Sequence, residues 1–188
     1  PLRAARSGLG VIVESGALVL NKPNGTTANQ NTLIVGTNTL LGGATAVLRN
    51  FESNQITGPL IINSGARWEV PGGTFEGVAD VSLNGNSEIY INGGLLQLDG
   101  ALTVNPLIFG STAWIHGANF SFGSGATRTL NVHDTTTLLG GENVELVIEP
   151  TSVQGSAPVV KQGAGDVRLQ GQFSYTSPIT IQAGDLRA

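Results

Sequence analysis

Residues 60–63 read Leu-Ile-Ile-Asn, residues 81–84 read Val-Ser-Leu-Asn and residues 102–105 read Leu-Thr-Val-Asn, so one pattern recurs every 21 residues. Each copy has apolar residues at alternate positions, which is typical of a short β-strand with one apolar face. Each copy ends in asparagine, a residue that tolerates the backbone of a turn. Short strands repeated at a fixed spacing indicate coils that stack and share one continuous interior.

A spacing of 21 residues predicts an all-β fold: a parallel β-solenoid with about 20–21 residues and about three short strands in each coil. A β-sandwich also contains many short strands, but it gives no reason for matched signatures at a constant spacing. The solenoid predicts two internal stacks, of which the first contains Leu60, Val81 and Leu102 and the second contains Ile62, Leu83 and Val104.

The asparagines that end the three copies, Asn63, Asn84 and Asn105, fall at equivalent positions of successive coils. In a stack of parallel strands such side chains can hydrogen-bond amide to amide along the stacking axis. We therefore predict an asparagine ladder at one corner of the solenoid. The alternative is that asparagine is present only because it suits a turn.

The composition is unusual for a chain of 188 residues, with 27 glycines, 12% charged residues, 40% hydrophobic residues and no cysteine or methionine. Low charge together with many apolar residues excludes intrinsic disorder. The absence of cysteine excludes disulfides and thiolate metal sites. The chain has no Lys/Arg cluster of the kind that binds nucleic acid. No apolar run reaches the roughly 20 residues of a membrane span. We predict one β-solenoid domain over residues 1–188.

The two ends of the sequence lead to an expectation about assembly. The chain starts at Pro1 without a signal segment, so we expect a processed form or a piece of a longer protein. A short basic stretch, residues 1–6, precedes the first expected strand, and no cap is evident at either end. Uncapped terminal coils expose unpaired backbone groups, which favours head-to-tail stacking. The expected end-to-end interface contains Leu2, Arg3, Arg6, Ile179, Ile181 and Leu186.

The carboxylates of the middle of the chain are scattered, and only Glu76 and Asp80 are candidates for a pair that a loop brings together. The two histidines, His116 and His133, have no further ligand at metal-site spacing. We therefore predict no catalytic, cofactor-binding or metal-binding residues, no cofactor, and no enzyme activity.

The large aromatic residues allow two interpretations. Most of them lie at alternating positions of strand-like stretches, which favours packing in the core or at corners. If they faced outward instead, they would form a strip on which sugars stack. The residues concerned are Trp68, Tyr90, Trp114, Phe120, Phe122 and Tyr175.

Near the C-terminus, residues 159–171 read Val-Val-Lys-Gln-Gly-Ala-Gly-Asp-Val-Arg-Leu-Gln-Gly, followed by Tyr175 and by Ile-Thr-Ile-Gln-Ala-Gly-Asp-Leu at 179–186. This segment resembles the autotransporter-associated β-strand repeat, also called the passenger-associated transport repeat. Val167 stands where that repeat has its first leucine, and Ser177-Pro178 replace its Gly-x-Thr step. The resemblance implies a single-stranded, right-handed parallel β-helix in an exported bacterial surface or matrix protein, with no active site in the repeat itself.

Together these observations favour an extracellular structural protein at a bacterial cell surface, which forms a stiff filament, stalk or matrix. Its expected partner is itself, by head-to-tail stacking or as part of a longer repeat protein. A surface glycan is a further candidate partner, in an adhesin or glycan-binding passenger. The third alternative is a β-helical polysaccharide lyase or hydrolase.

Overall fold

The protein is all-β, with nineteen β-strands and no helix among the residues that its computed structural model describes. These are residues 4–7, 10–23, 26–37, 45–135 and 143–188, and for residues 4–7 the description covers the backbone only. Within this part of the chain, no helix has the length and the apolar character that a membrane span requires.

Two large sheets contain all the strands. Sheet A consists, in spatial order, of β1 (Ala4–Ser7), β2 (Gly10–Val13), β4 (Thr32–Val35), β6 (Leu60–Ile62), β9 (Val81–Asn84), β11 (Ala101–Asn105), β13 (Arg128–Val132), β15 (Val159–Gln162) and β18 (Ile179–Ile181). Sheet B consists of β3 (Gly16–Leu20), β5 (Ala46–Asn50), β7 (Arg67–Pro71), β10 (Glu88–Leu98), β12 (Ala113–Ser121), β14 (Leu146–Gln154), β16 (Val167–Leu169) and β19 (Leu186–Arg187), with β8 (Phe75–Val78) beside β10 and β17 (Gln172–Phe173) beside β14.

From β2 onward the chain passes back and forth between the two sheets, and every strand pair that it forms there is parallel. The only antiparallel pair among the described strands is β1 with β2. The predicted all-β, parallel architecture is therefore confirmed, and the alternation between sheets is consistent with a β-solenoid.

The pairing of sheet A confirms the predicted 21-residue alignment. Leu60 pairs with Val81 and Val81 with Leu102. The same strands align Ile62, Leu83 and Val104. All six side chains are buried, because alternate residues of each strand point into the space between the sheets. The two predicted stacks therefore form a continuous apolar interior.

Strand β10 is long and bent, and two shorter strands of sheet B, β7 and β8, pair with its two halves. Its first half pairs with β7 and its second half with β8, and the register shifts between Asn92 and Gly93. A Cβ atom on Gly94 would lie 2.5 Å from the carbonyl oxygen of Pro71, so only glycine fits where the chain bends. Together with a strand of sheet A, the chain has three strand segments at this level, which is consistent with the predicted coil.

The sequence predicts only a short basic stretch, residues 1–6, before the first strand, but part of this stretch itself forms a strand. Ala4–Ser7 forms β1, which pairs antiparallel with β2 and lies outside it at one edge of sheet A. This pairing covers the backbone groups of β2 that the next parallel strand would otherwise use. The prediction that no element covers either end is therefore wrong for sheet A at its N-terminal edge.

Replacing Leu83 by alanine tests whether the stacks stabilise the fold. Leu83 is fully buried between Ile62 and Val104, so Leu83→Ala should lower the free energy of unfolding by about 2–5 kcal/mol. The neighbouring Ser82 faces outward, and Ser82→Ala should change this free energy by less than about 0.5 kcal/mol. Urea unfolding followed by far-UV circular dichroism measures both, and equal effects would contradict the buried stack.

Candidate functional site

The outer face of sheet B contains a group of aromatic and ionisable side chains that contact one another. The strands align these outward residues in two rows across the sheet. The first row is Arg49, Glu69, Tyr90, His116 and Glu149, and the second is Arg67, Glu88 and Trp114. Because neighbouring strands lie about 4.8 Å apart, side chains in a row are close enough to interact.

Glu88 is the centre of this group. Its carboxylate accepts a hydrogen bond from Nη2 of Arg67 at 2.9 Å and is hydrogen-bonded to Nε2 of His116. The guanidinium of Arg67 also lies over the Tyr90 ring, 4.7 Å from the ring centre. The Tyr90 and His116 rings are 5.1 Å apart at an angle of 32°. These four contacts hold the side chains in defined positions.

A second set of ion pairs extends the row toward the N-terminal coils. Glu69 pairs with Arg49 and lies 3.8 Å from Nη1 of Arg67. These charges are partly exposed to solvent, so each pair contributes little to stability. Their effect is to fix Arg67, which in turn orients Glu88.

A shallow pocket of about 420 Å³ lies at the C-terminal side of this group. We call it the outer pocket, and it is lined by Asn86, Ser87, Glu88, Trp114, His116 and Glu149. Asn86 is itself held by a hydrogen bond from the backbone N–H of Thr112 to its Oδ1, at 3.0 Å. The pocket thus combines one large aromatic ring with carboxylate, imidazole and amide groups.

The aromatic residues follow both interpretations of the sequence. Trp68, Phe120 and Phe122 are buried in the core, and Tyr175 packs edge-on against Phe122 at 5.5 Å. Tyr90 and Trp114 instead occupy outward positions of β10 and β12 and are half-buried. Strand alternation predicts which residues share a face of a strand, but it does not predict which face points into the core. The sequence pattern therefore does not distinguish the outward Tyr90 and Trp114 from the buried aromatic residues.

The candidate acid pair of Glu76 and Asp80 is engaged in two different places. Glu76 is buried and accepts hydrogen bonds from the backbone N–H groups of Gln55, at 2.9 Å, and Ile56, at 2.7 Å. Asp80 is exposed and accepts a hydrogen bond from the backbone N–H of Ala101 at 3.0 Å. Each carboxylate holds a connecting segment in place.

A buried polar network surrounds Glu76. The Asn50 amide donates to the Glu76 carboxylate at 3.0 Å, and its oxygen accepts a hydrogen bond from the Trp68 indole at 2.9 Å. Burial raises the pKa of Glu76 to about 7, and it outweighs the hydrogen bonds from Gln55 and Ile56, which act in the opposite direction. Glu76 therefore titrates near neutral pH inside the protein.

The Glu76 titration predicts how stability depends on pH. Because the folded-state pKa is above the ordinary value of 4.5, the folded protein binds this proton more tightly than the unfolded chain. The stabilisation is complete below pH 4.5 and is lost as pH rises through about 7. Relative to Glu76→Gln, the free energy of unfolding should fall by about 3 kcal/mol over this range. Urea unfolding of both proteins at several pH values checks this, and parallel pH curves would contradict it.

The two histidines lie in different sheets. His116 belongs to β12 of sheet B and contacts Glu88, whereas His133 follows β13 of sheet A and lies 3.2 Å from the amide nitrogen of Asn131. Among the described residues, no three His, Cys, Asp or Glu side chains are grouped so that they could hold a metal ion.

The structure brings the three predicted ladder residues together. Nδ2 of Asn84 donates to Oδ1 of Asn63 at 2.8 Å, and Nδ2 of Asn105 donates to Oδ1 of Asn84 at 2.9 Å. Nδ2 of Asn63 continues the series by donating to the carbonyl oxygen of Gly36 at 3.0 Å. All three amides donate in the same direction, across four successive strands of sheet A.

The position of Asn84 in the middle of this ladder predicts a graded effect of mutation. Asn84→Ala removes two side-chain hydrogen bonds and should lower the free energy of unfolding by about 1–3 kcal/mol. Asn105→Ala removes one of the two and should have about half that effect. Urea unfolding compares the two variants, and an equal or larger loss for Asn105→Ala would show that the ladder does not act as described.

The residues of the expected end-to-end interface are only partly described. Ile179 and Ile181 lie on β18 and Leu186 on β19, which are the outermost strands of the two sheets at their C-terminal edges. Ile179 and Leu186 pack against the core, and Ile181 is 48% exposed. Leu2 and Arg3 lie outside the described residues, and for Arg6 the structure describes the backbone within β1.

One inward residue is not predicted by the sequence pattern. Lys161 pairs with Leu130 and so occupies a position of the first apolar stack, where it is fully buried. Its ammonium donates to the carbonyl oxygens of Gln162, Gly163 and Ala183, at 3.2, 2.6 and 2.8 Å. Burial lowers the pKa of Lys161, while nearby carboxylates oppose that shift. The lysine thereby connects its own turn to the turn of the following coil.

Comparison with protein-family models, with curated proteins and with solved structures finds no match to this chain. The functional argument therefore depends on the geometry itself. That geometry defines an all-β protein of two parallel sheets, with one polar and aromatic outer face and with unpaired strands β18 and β19 at the C-terminal edges of the described sheets.

Proposed function

We propose that this chain is an extracellular structural protein, a right-handed parallel β-solenoid of about 20–21 residues per coil that forms part of a stiff filament, stalk or matrix. The alternation between two parallel sheets supports this fold, since each coil adds one layer to both sheets. The continuous interior supports the mechanical role, because every coil is bonded to its neighbours along its length.

The observation that carries this proposal is the C-terminal edge of the two sheets. There β18 and β19 have no neighbour on their outer side among the described strands, and Ile181 is largely exposed beside the core. Unpaired parallel strands next to an apolar interior are a template for a further coil. That coil belongs either to a longer repeat protein or to a second copy of this chain.

The N-terminal edge indicates how a second copy would fit. In sheet B the outermost of the described strands is β3, which pairs in parallel with β5 and has no described strand on its other side. In sheet A the outermost strand is the antiparallel β1. Head-to-tail stacking would then place β19 of one copy beside β3 of the next, as a heterologous contact that does not close.

The handedness and the bacterial surface location come from the resemblance of residues 159–186 to the autotransporter-associated repeat. The structure is compatible with that assignment, since the repeat-like segment contains β15 to β18 and the start of β19, which continue both parallel sheets. The repeat is a scaffold, which agrees with a mechanical rather than a catalytic role.

Negative-stain electron microscopy of the purified chain across a concentration series tests self-assembly. We expect unbranched fibres of uniform width whose length increases with protein concentration. Ile181→Arg introduces a charge at the exposed C-terminal edge and should prevent fibre formation. Ile108→Arg is the matched control, because Ile108 is similarly exposed, at 45%, but lies on a loop between β11 and β12 in the middle of the stack.

Fibres that persist in Ile181→Arg would show that this edge is not the contact. If only monomeric rods were seen at every concentration, self-assembly of this chain would be rejected, and the proposal would be limited to a segment of a longer stalk. Hydrogen exchange then tests the rod itself, and we expect the slowest exchange in the central strands β6, β9 and β11.

A further inference from the structure

We propose that the outer pocket binds a neutral, hydroxyl-rich sugar unit of a glycan. This inference does not depend on self-assembly, because the pocket lies on the outer face of sheet B and away from both edges. It would give the rod a recognition surface along its side.

The position of Trp114 is the first observation. Of the two tryptophans, Trp68 is fully buried, whereas Trp114 is half-buried at an outward position of β12 and lines the pocket. A tryptophan that remains partly exposed leaves part of its apolar ring in contact with water. The C–H face of a pyranose is flat and weakly apolar, so it can cover such a ring while its hydroxyl groups remain available for hydrogen bonds.

The polar groups around the ring have the chemistry that hydroxyl groups require. Glu88 and Glu149 offer carboxylate oxygens as acceptors, and Asn86 carries an amide. Glu88 is held in place by Arg67 and His116. Glu149 makes no hydrogen bond or ion pair with the residues that the structure describes, so its carboxylate is available to a ligand.

Charge identifies the class of sugar. Two of the six pocket residues are carboxylates, of which Glu88 is paired with Arg67 and His116, whereas Glu149 makes no ion pair with the described residues and keeps its negative charge uncompensated. A polyuronate or a sulfated glycan would bring further negative charge next to these groups and would be repelled. A neutral sugar brings hydroxyl donors instead, so the pocket favours neutral over acidic glycans.

The size and the rigidity of the site agree with this ligand. A volume of about 420 Å³ falls within the range of small-molecule sites. The pocket residues lie on or next to strands of one parallel sheet, so little conformational entropy is lost on binding. The strand spacing of about 4.8 Å is close to the length of one pyranose unit, so a glycan aligned with the stacking axis meets the outward side chains of successive coils.

Tryptophan fluorescence and ligand titration by NMR test the proposal with defined probes. The probes are four-unit oligosaccharides of β-1,4-linked glucose, β-1,4-linked N-acetylglucosamine, β-1,4-linked mannose and α-1,4-linked glucose, with a four-unit galacturonate as the acidic probe. We expect at least one neutral probe to bind at or below about 1 mM and the galacturonate to bind at least about tenfold more weakly.

The variants assign that binding to the pocket. Trp114→Ala should weaken it at least about tenfold. Trp114→Phe keeps an aromatic ring and should fold normally, yet it should abolish the ligand-induced change in emission, because Trp68 is buried. Glu149→Gln should weaken binding about threefold or more. Phe109→Ala is the matched control: it removes a side chain that is 56% exposed on a loop, and binding should remain within about twofold.

Three results would overturn the proposal. They are no binding of any neutral probe up to about 10 mM, binding that Trp114→Ala and Glu149→Gln leave unchanged, and a preference for the galacturonate. Far-UV circular dichroism confirms that each variant is folded before its affinity is compared.

Discussion

Parallel pairing of successive strands within each sheet is the constraint on which the rest of the structure depends. When strands pair in parallel at fixed spacing, each residue lies directly beside the equivalent residue of the previous strand in the same sheet. An inward position must therefore be apolar in coil after coil, because one mismatch leaves two neighbours in contact with it. The stack from Leu33 to Leu130 meets this condition at every level, through leucine or valine.

The exceptions show how the constraint is satisfied when an inward residue is polar. Lys161 interrupts the first stack, but its ammonium binds three carbonyl oxygens at a turn. Arg128 is also buried, and it donates to the carbonyl oxygens of Asp99, Phe122 and Ser124. Glu76 is the inverse case, since it accepts from backbone N–H groups. In all three cases, an ionisable side chain forms hydrogen bonds with backbone groups of irregular segments, which have no partner in a regular strand ladder.

Sequence reasoning was sufficient where three coils follow one another without insertions. There the 21-residue signature predicted both apolar stacks and the alignment of Asn63, Asn84 and Asn105. Beyond Leu102 the steps lengthen unevenly, to Leu130 and then to Lys161, so register could not be predicted and the inward lysine was not recognised. The strand Ala4–Ser7 has no apolar alternation, and it forms because β2 offers an edge. The outward position of Trp114 depends on which face is the core, which a period of two does not decide.

The asparagine ladder has a consequence for how disturbances spread through the protein. Its amides are oriented alike, so their dipoles add along the stacking axis and each hydrogen bond polarises the next. Turning one amide around would set two donors or two acceptors against each other, so reversal is favourable only if every member turns together. The three amides therefore form one directional chain of hydrogen bonds, and a change in the orientation of one amide alters the hydrogen bonds of the amides in the strands on either side.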